Sequence, residues 1–550
     1  MKPETAGFSG TSARAAESRV MPGPVKSPQI HVSAVVVGRL QLSCPREPAS
    51  PVNGLETSLV TPPLATESMT LPRSRIARSR RVIDAPASSL ASIIGQWRDP
   101  ALLESGPGFG DSGRWSILAA EPRLGFEATG TSWIIRDDRG HRLSGRDDVL
   151  ARLGALLDRF GLARPEDLDL ADDDPCPFRG GMIGAIGYDI APLLERLPRR
   201  VPRDSRFPDL HLALYDTAVT IDHQTGEVEI RAWDLMGEGP RATDRRCARW
   251  MERLRAEGGK SRINGPSKLG PVVPRLDRAS YLERVGRILE YIAAGDIFQA
   301  NFTQRFDAVG EPDPLDLYLR LKTISPAPFS AFLRLDSHPE KLGVASASPE
   351  WFYQSRGDRI LTRPIKGTRP RGNDSAQDRR FAEELARSAK DRAELTMIVD
   401  LERNDLGRVC QYGSVQVLDP LTIESFAQVH HLVATVEGRL RPGIGPIDVM
   451  RAMFPGGSIT GAPKIRAMEI IDELEPNRRG LYTGAIGYLS RGGSSAFNIA
   501  IRTLIIEGDR VSYQVGGGIV ADSVPEAEYE EAMLKGQGLL AVLKGEGDLA

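Results

Sequence analysis

The chain has 550 residues, which is longer than one ordinary domain and long enough to bury large cores. Hydrophobic residues make up 41% and charged residues 26%, without an apolar run long enough for a transmembrane helix, so a globular protein is predicted. The net charge of −2 gives no reason to expect nucleic acid or a membrane as partner. The four cysteines are far apart and form no CxxC motif, which argues against structural zinc and disulfides and favours the cytoplasm.

The first half of the chain divides into an extension and a predicted folded lobe. Residues 1–75 are rich in Pro, Ser, Ala and Arg, and we expect a disordered or dispensable extension there. A later start such as Met69 and an organellar transit peptide are the alternatives. Residues 76–263 form a first predicted lobe. Its predicted strands are Ser132–Arg136, Leu212–Ile221, Glu227–Trp233 and the glycine-rich GGMIGAIGYD segment, and its predicted helices are Val149–Phe160 and Arg241–Ala256.

A Gly/Pro-rich stretch at residues 264–275 is the predicted linker to a second lobe at residues 276–548. Hydrophobic periodicity and Pro or Gly boundaries predict helices at Ala279–Ala294, Pro314–Thr323, Ala376–Arg403, Pro446–Met453, Pro463–Leu474 and Pro525–Leu543. Alternating patterns predict strands in GDIFQANFTQRF and at Phe329–Leu335, Gly343–Ser348, Ala485–Leu489, Ala496–Ile506 and Arg510–Gly516. Because helices and strands do not alternate strictly, the expected class is α+β with large antiparallel sheets.

The RPIKGT segment (Arg363–Thr368) follows a strand pattern and precedes a polar loop. Pro364 and Gly367 restrict the backbone on either side of Lys366. The local pattern predicts a loop lysine, which is either solvated or directed at a site.

The helix Pro525–Leu543 is preceded by Ser523, which fits a capping box, and its Glu528, Glu531 and Lys535 share one face. A salt-bridged surface and a binding site both agree with this pattern. The glycines Gly516–Gly518 follow a strand and let backbone N–H groups approach an anion closely, although a plain turn is the alternative. Glu394 borders the apolar face of another helix, where a carboxylate is uncommon without a partner or a metal. A surface salt bridge to Arg392 or Lys390 is the alternative.

Long motifs of the second lobe resemble the chorismate-utilising enzyme family. They are PIKGT, MIVDLERND, FPGGSITGAPKIRAMEIIDELEP, GAIGYLS and GGGIVADS, in that order. The first lobe is similar more loosely, through LLESG and GGMIGAIGYD. The resemblance implies a two-lobed α+β fold in which large antiparallel β-sheets are sandwiched together and flanked by helices.

The resemblance also implies site residues. Lys366, Glu350 and His431 would be catalytic, with His431 next to the substrate ring. Glu394 and Glu531 would hold Mg²⁺, with Glu528 nearby or acting through water. The substrate-binding positions would be Arg502, Lys535, Tyr482, Ser458, Gln299 and the backbone of Gly516 and Gly518. Leu103, Glu104 and Ser105 resemble part of a tryptophan pocket, for which ordinary core packing is the alternative.

Two positions indicate the branch of the family. Isochorismate and salicylate synthases have a water-activating lysine where this chain has Gln299, and an amide cannot act as that base. Anthranilate synthases typically have alanine at the position of Lys366, where an amine permits covalent catalysis. The resemblance therefore implies amination of chorismate at C4 on the route to p-aminobenzoate and folate. Anthranilate formation and a non-catalytic chorismate-binding role are the alternatives.

Ammonia needs a source. No cysteine lies in a G-x-C-x-G nucleophile turn, so no glutaminase site is expected in this chain. A separate glutamine amidotransferase subunit is the expected partner.

Overall fold

The computed structural model describes residues 78–83, 87–163, 174–258, 266–426 and 429–546, so the predicted extension and the first residues of the predicted linker lie outside them. The strands are β1 (Arg78–Val82), β2 (Ala101–Glu104), β3 (Trp115–Ala119), β4 (Leu124–Thr129), β5 (Ser132–Asp137), β6 (Arg142–Arg146), β7 (Gly181–Ile186), β8 (Leu210–Tyr215), β9 (Thr217–Asp222), β10 (Glu227–Trp233), β11 (Lys268–Leu269), β12 (Val273–Pro274), β13 (Gln299–Glu311), β14 (Phe329–Leu335), β15 (Leu342–Ser348), β16 (Trp351–Arg356), β17 (Arg359–Arg363), β18 (Ile365–Pro370), β19 (Gln416–Ser425), β20 (Val429–Arg439), β21 (Gly461–Ala462), β22 (Ala485–Ser490), β23 (Ser494–Ile499), β24 (Thr503–Glu507) and β25 (Arg510–Ile519). The α-helices are α1 (Ala87–Ile94), α2 (Val149–Arg159), α3 (Pro240–Glu257), α4 (Arg278–Ala293), α5 (Pro314–Ile324), α6 (Ser375–Arg387), α7 (Ala389–Gly407), α8 (Pro446–Met453), α9 (Lys464–Leu474) and α10 (Pro525–Leu543).

These strands form two large antiparallel sheets, which confirms the predicted α+β class. The first has the order β1-β10-β9-β3-β2-β14-β15-β24-β25-β13-β11, with β12 and β21 also paired to β13. The second has the order β18-β20-β17-β16-β23-β22-β7-β8-β4-β5-β6, with β19 also paired to β20. Strands of both predicted lobes share each sheet, since β2 pairs with β14 and β7 pairs with β22.

Alternation along a strand divides the apolar residues between two cores. On β14, Ala331 and Leu333 belong to a core that contains residues of both sheets. Phe332, between them, belongs to a second core that joins the first sheet to helices such as α4, α5 and α10. The sheets are therefore packed face to face, and helices cover the outer face of the first sheet.

Two predicted strands are wrong in the same way. Leu212–Ile221 is divided at Asp216 into β8 and β9, which belong to different sheets. Ala496–Ile506 is divided after Ile499 into β23 and β24, again in different sheets. At each break the chain passes from one sheet to the other, which a continuous apolar pattern does not reveal.

Three local predictions also need correction. The predicted helix Ala376–Arg403 is two helices, because Ser388 ends α6 and its Oγ accepts a hydrogen bond from Asp391 N at 3.2 Å at the start of α7. Lys366 lies in strand β18 and not in a loop. Ser523 forms no capping box, because Val524 is the N-cap of α10 and the Ser523 hydroxyl donates to Glu528 Oε1 at 2.6 Å instead.

Candidate active site

Lys366 is held against a short turn by the pairing of β18 with β20. It lies opposite Leu432 in that pair, and its ammonium donates to the carbonyl oxygen of Ser458 at 3.4 Å. Ser458 belongs to a 3₁₀ turn, Gly457–Ile459. Burial lowers the pKa of Lys366, against the opposite effect of the Glu394 and Glu350 carboxylates. The amine is thus closer to its neutral, nucleophilic form than a surface lysine.

Glu350 lies between β15 and β16, where the chain turns beside the lysine strand. It is 6% exposed, and its Oε1 accepts a hydrogen bond from Ile365 N at 3.4 Å. Burial raises the pKa of Glu350, although the Lys366 ammonium favours the ionised form. A carboxyl with this tendency can stay protonated and act as a general acid.

Three carboxylates on two helices lie in the site, and two of them, Glu394 and Glu531, act electrostatically on Lys366. Glu394 projects from α7, whereas Glu528 and Glu531 project from α10. Burial raises the pKa of Glu394 despite nearby Lys366. Partial burial acts to raise the pKa of Glu531 as well, but the Lys535 ammonium, 2.8 Å from its Oε1, outweighs this effect and lowers it.

The donor set suits magnesium without forming a closed cage. Within the described ranges, no three His, Cys, Asp or Glu side chains have the spacing of a preformed metal site. Magnesium nevertheless takes few protein carboxylates and fills its other positions with water and substrate oxygens. The Lys390 ammonium lies 4.0 Å from Glu394 Oε1 and 3.7 Å from Glu528 Oε1, so the space between these helices already holds a positive charge.

Arg502 is a buried cation near His431, on whose pKa its charge acts. It lies in the break between β23 and β24 and has a positive φ of 49°. Burial lowers the pKa of Arg502, and no carboxylate in the described part of the chain offsets this effect. A mostly buried guanidinium without a counter-ion is costly, so it is typical of a site that binds an anion.

His431 lies on β20 and stays neutral. Its Nδ1 is 2.9 Å from Thr368 Oγ1, and it is 3% exposed. Burial, together with the Arg502 charge, lowers the pKa of His431 to about 4. At neutral pH the uncharged ring can therefore donate one hydrogen bond and accept another.

The glycine segment forms a bare sheet edge between these groups. β25 pairs with β24 only as far as Ser512, whereas β13 pairs with it up to Ile519. One edge of Gly516–Gly518 therefore has no strand partner among the described residues. A Cβ on Gly517 would lie 3.3 Å from Glu528 Oε2 and 3.6 Å from Lys535 Nζ, so the Gly517 backbone lies close to both charged groups.

Gln299 and Lys535 border the same edge. Gln299 is fully buried, and neither of its amide atoms has a hydrogen-bond partner in the described part of the chain. A Cβ on Gly518 would lie 2.7 Å from Gln299 Nε2. Lys535 donates to the carbonyl oxygen of Gly516 at 3.3 Å. The site therefore combines cations, carboxylates and free backbone groups.

The remaining predicted residues lie at its margin or elsewhere. Burial raises the pKa of Tyr482, and the nearby charges of Arg479 and Glu475 have opposite effects on it. Leu103 and Glu104 line a separate cavity of about 120 Å³, and Ser105 is not among its lining residues. The Glu104 carboxylate is already bonded to Tyr318 Oη at 2.6 Å and to Lys322 Nζ at 2.6 Å.

Comparison with known proteins shows the family to which the chain belongs. The family model described as chorismate binding enzyme matches residues 116–541. The chain belongs to the chorismate-binding enzyme family.

Relatives of two names match this chorismate-binding enzyme equally well. Aminodeoxychorismate synthase component 1 of Escherichia coli is 39% identical over 453 residues, which cover 80% of this chain and 93% of the relative. Anthranilate synthase component 1 of Thermus thermophilus is 40% identical over 437 residues, covering 79% and 90%. The crystal structure of anthranilate synthase component I from Streptococcus pneumoniae matches with a TM-score of 0.66 and 31% identity, covering 77% of this chain and 91% of that one.

Two residues near the site were not among the predicted site residues. The sequence suggests Lys390 only as a surface partner of Glu394, yet its ammonium also lies 3.7 Å from Glu528 Oε1. Asn301 donates from Nδ2 to the Ser458 carbonyl oxygen at 2.9 Å. The alternation of β13 could have indicated Asn301, since residues 299 and 301 share one face of the strand.

Proposed function

We propose that this chain is component I of an aminodeoxychorismate synthase, which converts chorismate and ammonia to 4-amino-4-deoxychorismate for p-aminobenzoate and folate synthesis. The observation that carries the proposal is Lys366, an amine whose pKa is lowered by burial and which faces Glu350 and Glu394. Relatives named anthranilate synthase match equally well, so the assignment depends on this residue and not on overall identity.

In the proposed reaction, neutral Lys366 attacks C2 of chorismate. The two ring double bonds shift toward C4, and the C4 hydroxyl departs as water after it takes a proton from Glu350. Ammonia then adds at C4, the double bonds shift back, and the Lys366 nitrogen leaves from C2. The Glu350 carboxylate recovers a proton from the attacking ammonia, so one water is released for each ammonia consumed.

Covalent catalysis requires Lys366 to be neutral, and deprotonating a lysine near neutral pH costs free energy. With a reference pKa of about 10.4, about one lysine in a thousand is neutral near pH 7.4, which corresponds to about 4 kcal/mol. Burial acts to reduce this cost. The raised pKa of Glu350 supports its part, since a carboxyl must be protonated to act as an acid.

The remaining groups would bind the substrate. Arg502 and Lys535 would pair with the two chorismate carboxylates, with the Gly516 and Gly518 backbone, Ser458, Tyr482 and Gln299 as further partners. Glu394 and Glu531, with Glu528 nearby, would hold Mg²⁺, which would neutralise a substrate carboxylate when bound. His431 would contact the ring as a neutral group, in keeping with its lowered pKa.

Ammonia would come from a glutamine amidotransferase subunit. Both relatives compared above are named component 1, which supports a second component. With ammonium salts in place of glutamine, this chain alone should therefore be active.

The covalent step can be tested by withholding ammonia and weighing the intact protein after incubation with chorismate and Mg²⁺. We expect an added mass equal to chorismate minus one water, located on Lys366 by peptide mapping. Lys366→Ala should lose both the adduct and the activity, whereas the exposed Lys341→Ala should keep both. Full activity of Lys366→Ala, together with no adduct on the unmodified chain, would refute covalent catalysis.

The competing function is anthranilate synthase component I. The products separate the two: anthranilate is fluorescent and accompanied by pyruvate, whereas aminodeoxychorismate forms without pyruvate. Tight chorismate binding without turnover, in the presence of Mg²⁺ and ammonium, would instead indicate a non-catalytic partner. Tryptophan binding next to Leu103 and Glu104 stays a prediction, which titration calorimetry with free tryptophan would test.

A further inference from the structure

The carbonyl oxygen of Ser458 is the fixed acceptor for the Lys366 ammonium, so its position matters to the lysine. It accepts from Lys366 Nζ at 3.4 Å and from Asn301 Nδ2 at 2.9 Å. The turn Gly457–Ile459 that holds it has only three residues in 3₁₀ conformation. A turn of this length needs outside contacts to hold one position.

Arg479 supplies such contacts on two elements at once. Its side chain is 1% exposed. One Nη donates to the carbonyl oxygen of Ile459 at 2.8 Å, and the other donates to the carbonyl oxygen of Asn301 at 2.8 Å. Ile459 directly follows Ser458, and Asn301 is the residue whose side chain donates to the Ser458 carbonyl. One guanidinium therefore joins the turn to strand β13.

Glu475 fixes the guanidinium and extends the link. It is bonded to Arg479 through both carboxylate oxygens, at 2.9 and 2.7 Å. Its Oε1 also accepts from Thr303 N at 3.0 Å and from Thr303 Oγ1 at 2.8 Å, two residues further along β13. The Arg479 guanidinium also lies over the Tyr188 ring, 4.8 Å from its centre, in a cation–π contact.

The cost of this arrangement indicates a purpose beyond stability. A buried ion pair often stabilises a fold no more than apolar residues of similar volume, and in some proteins it instead fixes one geometry. Besides their bonds to each other, the side chains of Arg479 and Glu475 form hydrogen bonds with β13, with the Gly457–Ile459 turn and with Thr483, four residues after Arg479. Strand β13 and the turn are the two elements that place Ser458 and the Gln299 side of the pocket.

We propose that Arg479, held by Glu475, is a positioning residue that fixes the Gly457–Ile459 turn against β13 and so sets where Lys366 points. The inference rests on the proposed role of the lysine. Lysine cannot replace the arginine here, because an ammonium is a point charge without the planar fork that reaches two carbonyl groups.

The test compares Arg479→Lys with Arg231→Lys. Arg231 on β10 is a matched control, since it is 5% exposed and donates from Nε to Glu229 at 2.8 Å, but lies near the opposite end of the sheet from β13. Chorismate consumption with ammonium is followed well below both melting temperatures. We expect Arg479→Lys to lower kcat/KM about 10²-fold, mainly through kcat, because a small misplacement of a reacting group has an effect of this size. Arg231→Lys should lower the melting temperature and leave kcat/KM unchanged.

A second measurement does not depend on activity. Amide hydrogen exchange of the peptide that contains residues 457–460 should accelerate in Arg479→Lys and not in Arg231→Lys. If both variants lose melting temperature alike while kcat/KM and exchange at the turn stay normal in Arg479→Lys, the inference is wrong and the pair is only structural. If the unmodified chain consumes no chorismate, the proposed function fails, and the exchange result still decides whether Arg479 fixes the turn.

Discussion

Arg502 combines two features that predict opposite effects of one substitution on stability and on binding. Its guanidinium is mostly buried, and burial lowers its pKa without an offsetting carboxylate among the described residues. Replacement by methionine keeps the aliphatic length and removes the charge. We expect the free Arg502→Met protein to be more stable by about 1 kcal/mol, since an unpaired buried charge is removed. Arg502 has a positive φ of 49°, and methionine has a Cβ as arginine does, so we expect no change in backbone strain.

Binding should change in the other direction. If Arg502 pairs with a substrate carboxylate, two charge-assisted hydrogen bonds are lost, at about 3 kcal/mol or more together. Chorismate affinity should therefore fall at least about 10²-fold, as measured by titration calorimetry with Mg²⁺. Arg305→Met is the control, because Arg305 is paired with Asp307 at 3.0 Å and with Asp204 at 2.8 Å. Loss of those pairs should destabilise the protein by about 3 kcal/mol.

Thermal unfolding and calorimetry on the same samples give both quantities. A variant Arg502→Met that is clearly less stable than the unmodified chain, or that binds chorismate with unchanged affinity, would refute an anion site at this position.

Three further predictions concern the ionisable groups of the site. Because the folded-state pKa of His431 is about 4, below the reference of about 6.5, the neutral ring stabilises the fold above about pH 6.5. This contribution to the free energy of unfolding, about 3 kcal/mol, should be lost as the pH falls from about 6.5 to about 4. Urea unfolding of His431→Asn should therefore depend less on pH than that of the unmodified chain, and an equal pH dependence would contradict the prediction. Lys390→Met removes the ammonium between Glu394 and Glu528, so Mn²⁺ binding in the absence of substrate, followed by electron paramagnetic resonance, should become tighter, and weaker binding would show that Lys390 assists the metal site. The rate with chorismate and ammonium should rise with pH as Lys366 loses its proton and fall at higher pH as Glu350 loses its own. The variant Glu350→Gln should lose most activity and also the fall in rate at high pH. An unchanged pH profile would exclude Glu350 as the acid.

Sequence patterns predicted those elements whose ends have a local chemical cause. Helices α8 and α10 begin at the predicted prolines, Pro446 and Pro525, because proline fits the first turn of a helix. Strand β14 also has its predicted bounds, Phe329–Leu335, and its alternation separates two cores. Among the described residues, no helix is both long enough and apolar enough to cross a bilayer.

The wrong predictions share a tertiary cause. The breaks at Asp216 and at Arg502 occur where the chain passes between sheets, and neither position has a Gly or Pro signal in the sequence. Lys366 lies in a strand because β20 provides a partner about 65 residues further along the chain, which no local pattern contains.

The site itself could be predicted only through resemblance. Glu350 and Lys366 approach each other because β16 and β17 form a hairpin between them, and Glu394 reaches them from a helix of the next segment. Spacing alone does not predict such a meeting. Nor could it predict the support from Arg479 and Glu475, since the contacts of that pair depend on the register of β13.

The central claim is that this chain aminates chorismate at C4. Chromatography of the products formed from chorismate and an ammonium salt, with and without Mg²⁺, tests it most directly. The account predicts 4-amino-4-deoxychorismate, formed only with Mg²⁺ and without release of pyruvate. Anthranilate with an equal amount of pyruvate, or unchanged chorismate, would contradict it.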